Sequence, residues 1–121
     1  MVLWGLGDFL GLARETADLL RAEGLDVGVV NPRYIKPLDR DLLAAQARRA
    51  RVIASLENGV VRGGFGSLLG EELLALRFPG RFLPFGWPNA FIAQGAPADL
   101  RARHGLTAPV MAEAIRRALA S

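Results

Sequence analysis

Short apolar runs alternate along this chain with longer stretches in which apolar residues recur every three or four positions. Runs of four to eight apolar residues bounded by glycine or proline read as strands buried on both faces; helical periodicity over ten or more positions reads as an amphipathic helix. "MVLWGLG" (1–7) is the first such run. Asp8 is placed to cap a helix from Phe9 to Glu23, in which Phe9, Leu12, Ala13, Thr16, Leu19 and Leu20 share a face, and Gly24 stops it. "LDVGVVN" (25–31) predicts a second buried strand, closed at Asn31-Pro32 because proline has no N–H for a sheet.

"PRYIKPLD" is a connection held by two prolines, after which Asp39 caps a helix to about Arg49 with Leu42 and Leu43 turned inward. "ARVIASLEN" (50–58) is a third strand, and residues 63–77 form a third helix through Leu68, Leu69, Leu73 and Leu76. "RFLPFG" (81–86) is a short fourth strand, and Pro84 suits a sheet edge. Beyond the loop "WPNAFIAQG", Pro97 opens a short helix reaching His104. Thr107 then caps a last helix whose Val110, Met111, Ala114, Ile115, Ala118 and Leu119 form one seam. Strands alternating with helices imply right-handed crossovers and a mainly parallel sheet covered on both faces, an α/β fold. With no linker, repeat or low-complexity segment, residues 1–121 read as a single domain.

Composition narrows the function classes. There is no cysteine, which excludes a disulfide scaffold and a thiolate metal site and fits a reducing, cytoplasmic setting. The net charge of +3 rests on arginines and the single lysine, Lys36. These arginines are scattered, have acidic neighbours, and do not interleave with aromatic residues as a nucleic-acid platform requires. A solvated basic surface is therefore expected, and no nucleic-acid partner. The opening residues carry Asp8 and no basic stretch, unlike a secretory leader, and no run is long enough to span a membrane.

The candidate chemistry centres on "ENGVVRGGFGSLLGEEL" (57–73), a strand end, a glycine turn and a helix start. A dinucleotide fingerprint needs three glycines at fixed offsets; Gly64 and Gly66 supply two, but Leu69 holds the third place and Gly70 comes one residue late. "GLGDFLG" misses in the same way, with Gly5, Gly7 and then Leu10. A lysine-type phosphate loop fails too, because Ser67 follows Gly66 directly. A helix N-terminus still attracts anions, so Arg62, Gly63, Gly64, Gly66 and Ser67 are a candidate anion-binding turn. The competing reading, a tight packing turn, is the favoured one. Glu57 ends a strand where α/β sheets often bind ligands, either as a general base or as a hydrogen-bonding partner for a neighbouring segment. Arg33, Tyr34 and Lys36 make a possible anion clamp or an ordinary surface loop. His104 is the sole histidine, and a helix C-terminus accounts for it without a ligand. No nucleophile–base pair, metal cluster or carboxylate dyad emerges, so catalytic residues and metal ligands are both expected to be none.

"VVNPRYIKPLD", "SLENGVVRGGFGS" and "GWPNAFIAQGAPADLRARHGLTAPVMAEAI", in that order, resemble the C-terminal domain of the 1-deoxy-D-xylulose-5-phosphate synthase family from about Val2 onward. The first two motifs are shared more loosely with transketolases and with β subunits of pyruvate-dehydrogenase-type decarboxylases; the third is more specific to the synthase. The resemblance implies a three-layer α/β/α domain with four parallel strands in the order 2-1-3-4. The family edge strand that precedes "VLWGLG" is missing here, which reads as an excised fragment, a truncated gene or an autonomous protein. It further implies an enzyme using thiamine pyrophosphate and Mg2+, both bound by preceding domains, so that no cofactor is expected on this chain and the isolated chain is expected to be inactive. A homodimer is expected, through the uncovered sheet edge or through an exposed patch of Tyr34, Ile35, Trp87, Pro88, Phe91 and Ile92. The alternatives left open are a stand-alone phosphate-binding module and the C-terminal domain of a pyruvate-dehydrogenase-type β subunit.

Overall fold

The computed structural model describes residues 1–32, 39–60, 64–87, 98–103 and 105–120. The elements are β1 (Val2–Gly5), α1 (Phe9–Arg21), β2 (Gly28–Val30), α2 (Arg40–Arg49), β3 (Val52–Val60), α3 (Phe65–Ala75), β4 (Arg81–Trp87), α4 (Ala98–Arg103) and α5 (Ala108–Ala120). One sheet runs β2-β1-β3-β4, with every neighbouring pair parallel. This is the order implied above. The chain starts mid-sheet, winds to one edge through α1, then returns past β1 and winds to the other, so the winding reverses between β1 and β3.

The period-two alternation of the strands splits the core into two layers. Leu3, Val52, Ala54 and Leu56 face α1 and α5, where Phe9, Ala13, Leu20, Met111 and Ile115 cover them. Trp4 and Ile53 face α2 and α3, against Leu43, Ala47, Phe65, Leu69 and Leu73. Gly5 lets α1 come close, since a Cβ there would stand 2.8 Å from Ala13 Cβ. The one buried hydroxyl of α1, on Thr16, is satisfied by the Leu12 carbonyl at 2.8 Å.

Several local expectations hold. Asp39 Oδ1 accepts from the Leu42 N–H at 3.0 Å, capping α2. Gly24 adopts φ +84° just beyond α1, and the Leu25 N–H reaches back to the Leu20 carbonyl.

Others are corrected. Asp8 makes no capping bond to α1; it is helical itself, and its carboxylate turns to Asn58 instead. β2 is a half-exposed edge strand rather than a buried one. Leu19, Leu42, Leu76 and Val110 are exposed, because a helix lying on a sheet buries a narrower stripe than its apolar face offers. Trp87, expected on an exposed loop, ends β4 and is fully buried. Pro97 and His104 lie outside the described residues.

Candidate functional site

The carboxyl end of the sheet holds Glu57 and the described part of the glycine turn, Gly64, Gly66 and Ser67. Glu57 lies in β3 on the same face as Ser55, two residues earlier, and both are buried. Opposite them α3 begins, with its first amide N–H groups directed at the strand. The Phe65 N–H donates to Glu57 Oε1 at 3.0 Å and the Gly66 N–H to Oε2 at 2.5 Å. These are two of the four N–H groups that a helix start leaves without an intrahelical partner. A carboxylate there also meets the positive end of the helix dipole. The anion at this helix N-terminus is thus the protein's own. A phosphate would have to displace Glu57 or share its two donors.

Gly66 is the residue that permits this. A Cβ at that position would stand 2.9 Å from Ser55 Oγ, 3.1 Å from Glu57 Oε2 and 3.3 Å from Pro84 Cβ. A side chain is therefore excluded by three neighbours on two strands. Gly64 is half-buried in extended backbone, and its carbonyl accepts the first helical bond, from the Leu68 N–H at 3.2 Å. Ser67 is half-buried within α3. Arg62 and Gly63 lie outside the described residues, as do Arg33, Tyr34, Lys36 and His104. Of the five candidate anion-binding positions, the structure thus brings Gly64, Gly66 and Ser67 together at one helix start.

Burial pushes the Glu57 carboxyl above its ordinary value, and the two N–H donors from Gly66 and Phe65 offset only part of that. A raised folded-state value means that Glu57 ionises less readily in the folded chain than in the unfolded one. Its stabilising contribution is complete below the ordinary value of 4.5 and declines as pH rises through the raised one. Glu57→Gln, which cannot titrate, isolates this term. The stability difference between wild type and Glu57→Gln is expected to shift in favour of the variant between pH 4 and pH 8, by urea unfolding. A difference moving the other way would show that the two N–H bonds outweigh burial.

A second chain of contacts was not foreseen from sequence. Trp87 Nε1 donates to Asn58 Oδ1 at 2.8 Å, and Asn58 Nδ2 donates to Asp8 Oδ2 at 3.0 Å. Asn58 thereby ties the end of β4 to the turn after β1, across the point where the winding reverses. In open α/β sheets that point is the usual ligand crevice; here a side-chain amide bridges it. Ser55 was also missed, although its spacing from Glu57 along a strand is a legible signal. Its Oγ has no hydrogen-bond partner among the described residues. Among those residues, too, no three His, Cys, Asp or Glu side chains stand together as a metal site.

Comparison with known proteins bears on the family and the fold. The family described as "Transketolase, C-terminal domain" matches residues 1–111. The 1-deoxy-D-xylulose-5-phosphate synthase of Syntrophotalea carbinolica is 44% identical over 115 residues, covering 95% of this chain and 18% of the synthase. The 1-deoxy-D-xylulose-5-phosphate synthase 1 of Geobacter metallireducens is 40% identical over 94% of this chain and 18% of its own length. The chain therefore spans about a fifth of the curated relatives it matches. A solved structure described as a split-gene transketolase, inactive β4 tetramer, superposes with a TM-score of 0.85 at 33% identity, covering 98% of this chain and 39% of the other. By family match, fold and identity together, the chain belongs to the transketolase C-terminal domain family.

Proposed function

We propose that the chain is the C-terminal assembly domain of a thiamine-diphosphate-dependent 1-deoxy-D-xylulose-5-phosphate synthase. Such an enzyme joins a two-carbon unit from pyruvate to glyceraldehyde 3-phosphate with loss of CO2. The observation that carries the reading is the 44% identity to a synthase across nearly the whole chain. The same observation favours the synthase over a pyruvate-dehydrogenase-type β subunit. Thiamine diphosphate and Mg2+ belong, in this proposal, to the preceding domains. The described residues do not fit either group: Glu57 fills the helix start that would meet a diphosphate, and no acidic cluster stands near it. No step of the reaction is therefore assigned to this chain. The domain acts by packing against the preceding domains and by supporting a homodimer in the cytoplasm. No described helix is long and apolar enough to cross a membrane.

Measurements on the isolated chain and on a segment exchange test the proposal. The isolated chain is expected to bind thiamine diphosphate with magnesium no tighter than millimolar, to show no turnover of pyruvate, and to elute as a dimer or larger. Micromolar binding in calorimetry overturns the assembly role, and a 13.0 kDa monomer at high concentration overturns the homodimer. Exchanging this chain for the matching segment of the Syntrophotalea carbinolica synthase is expected to preserve that enzyme's activity, whereas deleting the segment abolishes it. A thermal shift on adding inorganic phosphate to the isolated chain would favour the phosphate-binding turn instead.

A further inference from the structure

Arginines that are scattered along the sequence converge at the amino end of the parallel sheet. Arg48 and Arg49 end α2, Arg51 precedes β3, Arg77 follows α3, and Arg81 begins β4; all five are exposed. Their convergence follows from topology, since in a parallel sheet every strand starts, and every crossover helix ends, at the same pole. Among the described residues none of the five pairs with a carboxylate, whereas Arg21, Arg40, Arg116 and Arg117 all do. Among the described residues, Arg51 is engaged by a carbonyl, that of Leu119 at 2.9 Å.

Ordinary helix electrostatics covers part of this. Arginines in the last turn of α2 complement the negative end of its dipole. Arg77 stands at the same end of α3 and adds a backbone feature that the dipole does not require. That residue holds φ +56° just past α3, where the Phe78 N–H bonds the Leu73 carbonyl, the position that glycine normally takes. An arginine there carries backbone strain that glycine would avoid. Strain retained at an exposed charged residue points to a use for the charge.

The surface around these arginines is furrowed. A cavity of about 560 Å3 is bordered by Met1, Asp26, Gln46, Arg48 and Arg49. One of about 360 Å3 lies between Arg48, Leu76, Phe78 and Pro79. A third, of about 250 Å3, lies between Arg51, Pro79, Arg81 and Ala118. They adjoin through Arg48, Ala50 and Pro79, and among the described residues Asp26 is the one acid that borders them. Apolar side chains and exposed arginines, none paired with a carboxylate among the described residues, thus line these furrows together.

We propose that this pole docks an acidic polypeptide segment, its carboxylates meeting the arginines and its aliphatic side chains entering the furrows. This is independent of the assignment to the synthase. Charge complementarity selects an anionic partner. A polypeptide is favoured over nucleic acid because Phe78, the aromatic residue bordering these cavities, is half-buried and offers no stacking face like those of single-strand binders.

The test is fluorescence anisotropy of the full chain with a labelled peptide of alternating glutamate and leucine, at low salt. Reversing charge in Arg48→Glu/Arg81→Glu is expected to weaken binding by about tenfold or more, while Arg14→Glu, an exposed arginine of α1, changes it less than about twofold. Arg77→Gly is expected to weaken binding while raising the thermal midpoint by about 3–5 °C as the strain is released. The proposal is overturned if Arg14→Glu weakens binding as much as the double reversal does. It is equally overturned if Arg77→Gly lowers the midpoint, or if oligothymidylate binds more tightly than the peptide and the double reversal abolishes it.

Discussion

Gly66→Asp is expected to destabilise the domain by about 3–5 kcal/mol, a large fraction of the stability of a domain this size, because it buries a second carboxylate against Glu57. The crowding alone is informative. Gly66→Ala adds only a Cβ, yet that atom falls 2.9 Å from Ser55 Oγ and 3.1 Å from Glu57 Oε2. Overpacking of this kind costs about 1–3 kcal/mol. Ser55 decides how much of it is relieved. Its hydroxyl is buried and without a partner among the described residues, so Ser55→Ala is expected to be near neutral. In that background the closest obstacle to Gly66→Ala is gone, and the two changes should couple favourably in a double-mutant cycle by about 1 kcal/mol. Strict additivity of the two in urea unfolding would show that Ser55 does not set the limit on Gly66. A phosphate-binding role for the turn makes a different demand: Gly66→Ala would then have to abolish a ligand-induced shift in the unfolding midpoint.

Trp4→Ala is expected to cost about 3–5 kcal/mol, the usual range for emptying a large buried aromatic site. Trp4 is 1% exposed and its ring lies 6.3 Å from that of Phe65, centroid to centroid. Its Nε1 donates to Gln46 Oε1 at 2.8 Å, so one side chain joins β1 to α2 and to the start of α3. Trp4→Phe keeps most of the apolar contact and drops the hydrogen bond, which should cost about 1–2 kcal/mol by leaving Gln46 Oε1 without its donor. Leu74→Ala is the comparison, since Leu74 is 81% exposed and its truncation should stay within about 0.5 kcal/mol. Equal losses at Trp4 and Leu74 would contradict the two-layer core described here.

The glycine turn shows how a sequence motif and a structure can address the same residues at different levels. Its failure to match either phosphate fingerprint was legible, because those fingerprints are offsets along the chain. The occupant of the helix start was not. Glu57 and Gly66 are nine residues apart, and only the crossing of β3 by α3 turns that separation into a hydrogen bond. The Asn58 bridge spans more, reaching Asp8 fifty residues earlier and Trp87 twenty-nine later. Asp8 looked like a cap by its position before an apolar stripe, and Trp87 looked exposed by its place in the loop after the fourth strand. Both readings used local context, and both side chains answered to a distant partner.

By itself the sequence determined the properties that depend on near neighbours. Apolar runs against helical stripes set the order of strands and helices, Asp39 and Gly24 marked their helix ends, and the alternation demanded a parallel sheet with two covered faces. Those signals are carried by periodicity and capping, which act over a few residues. The tertiary structure alone decided which carboxylate fills the start of α3, which amide bridges the sheet where its winding reverses, and where the arginines gather. Dispersed in the chain, Arg48, Arg49, Arg51, Arg77 and Arg81 share a pole because parallel strands with returning helices place every strand start on one side of the sheet. Register and crossover bring such distant residues together, and no local pattern of residues encodes them.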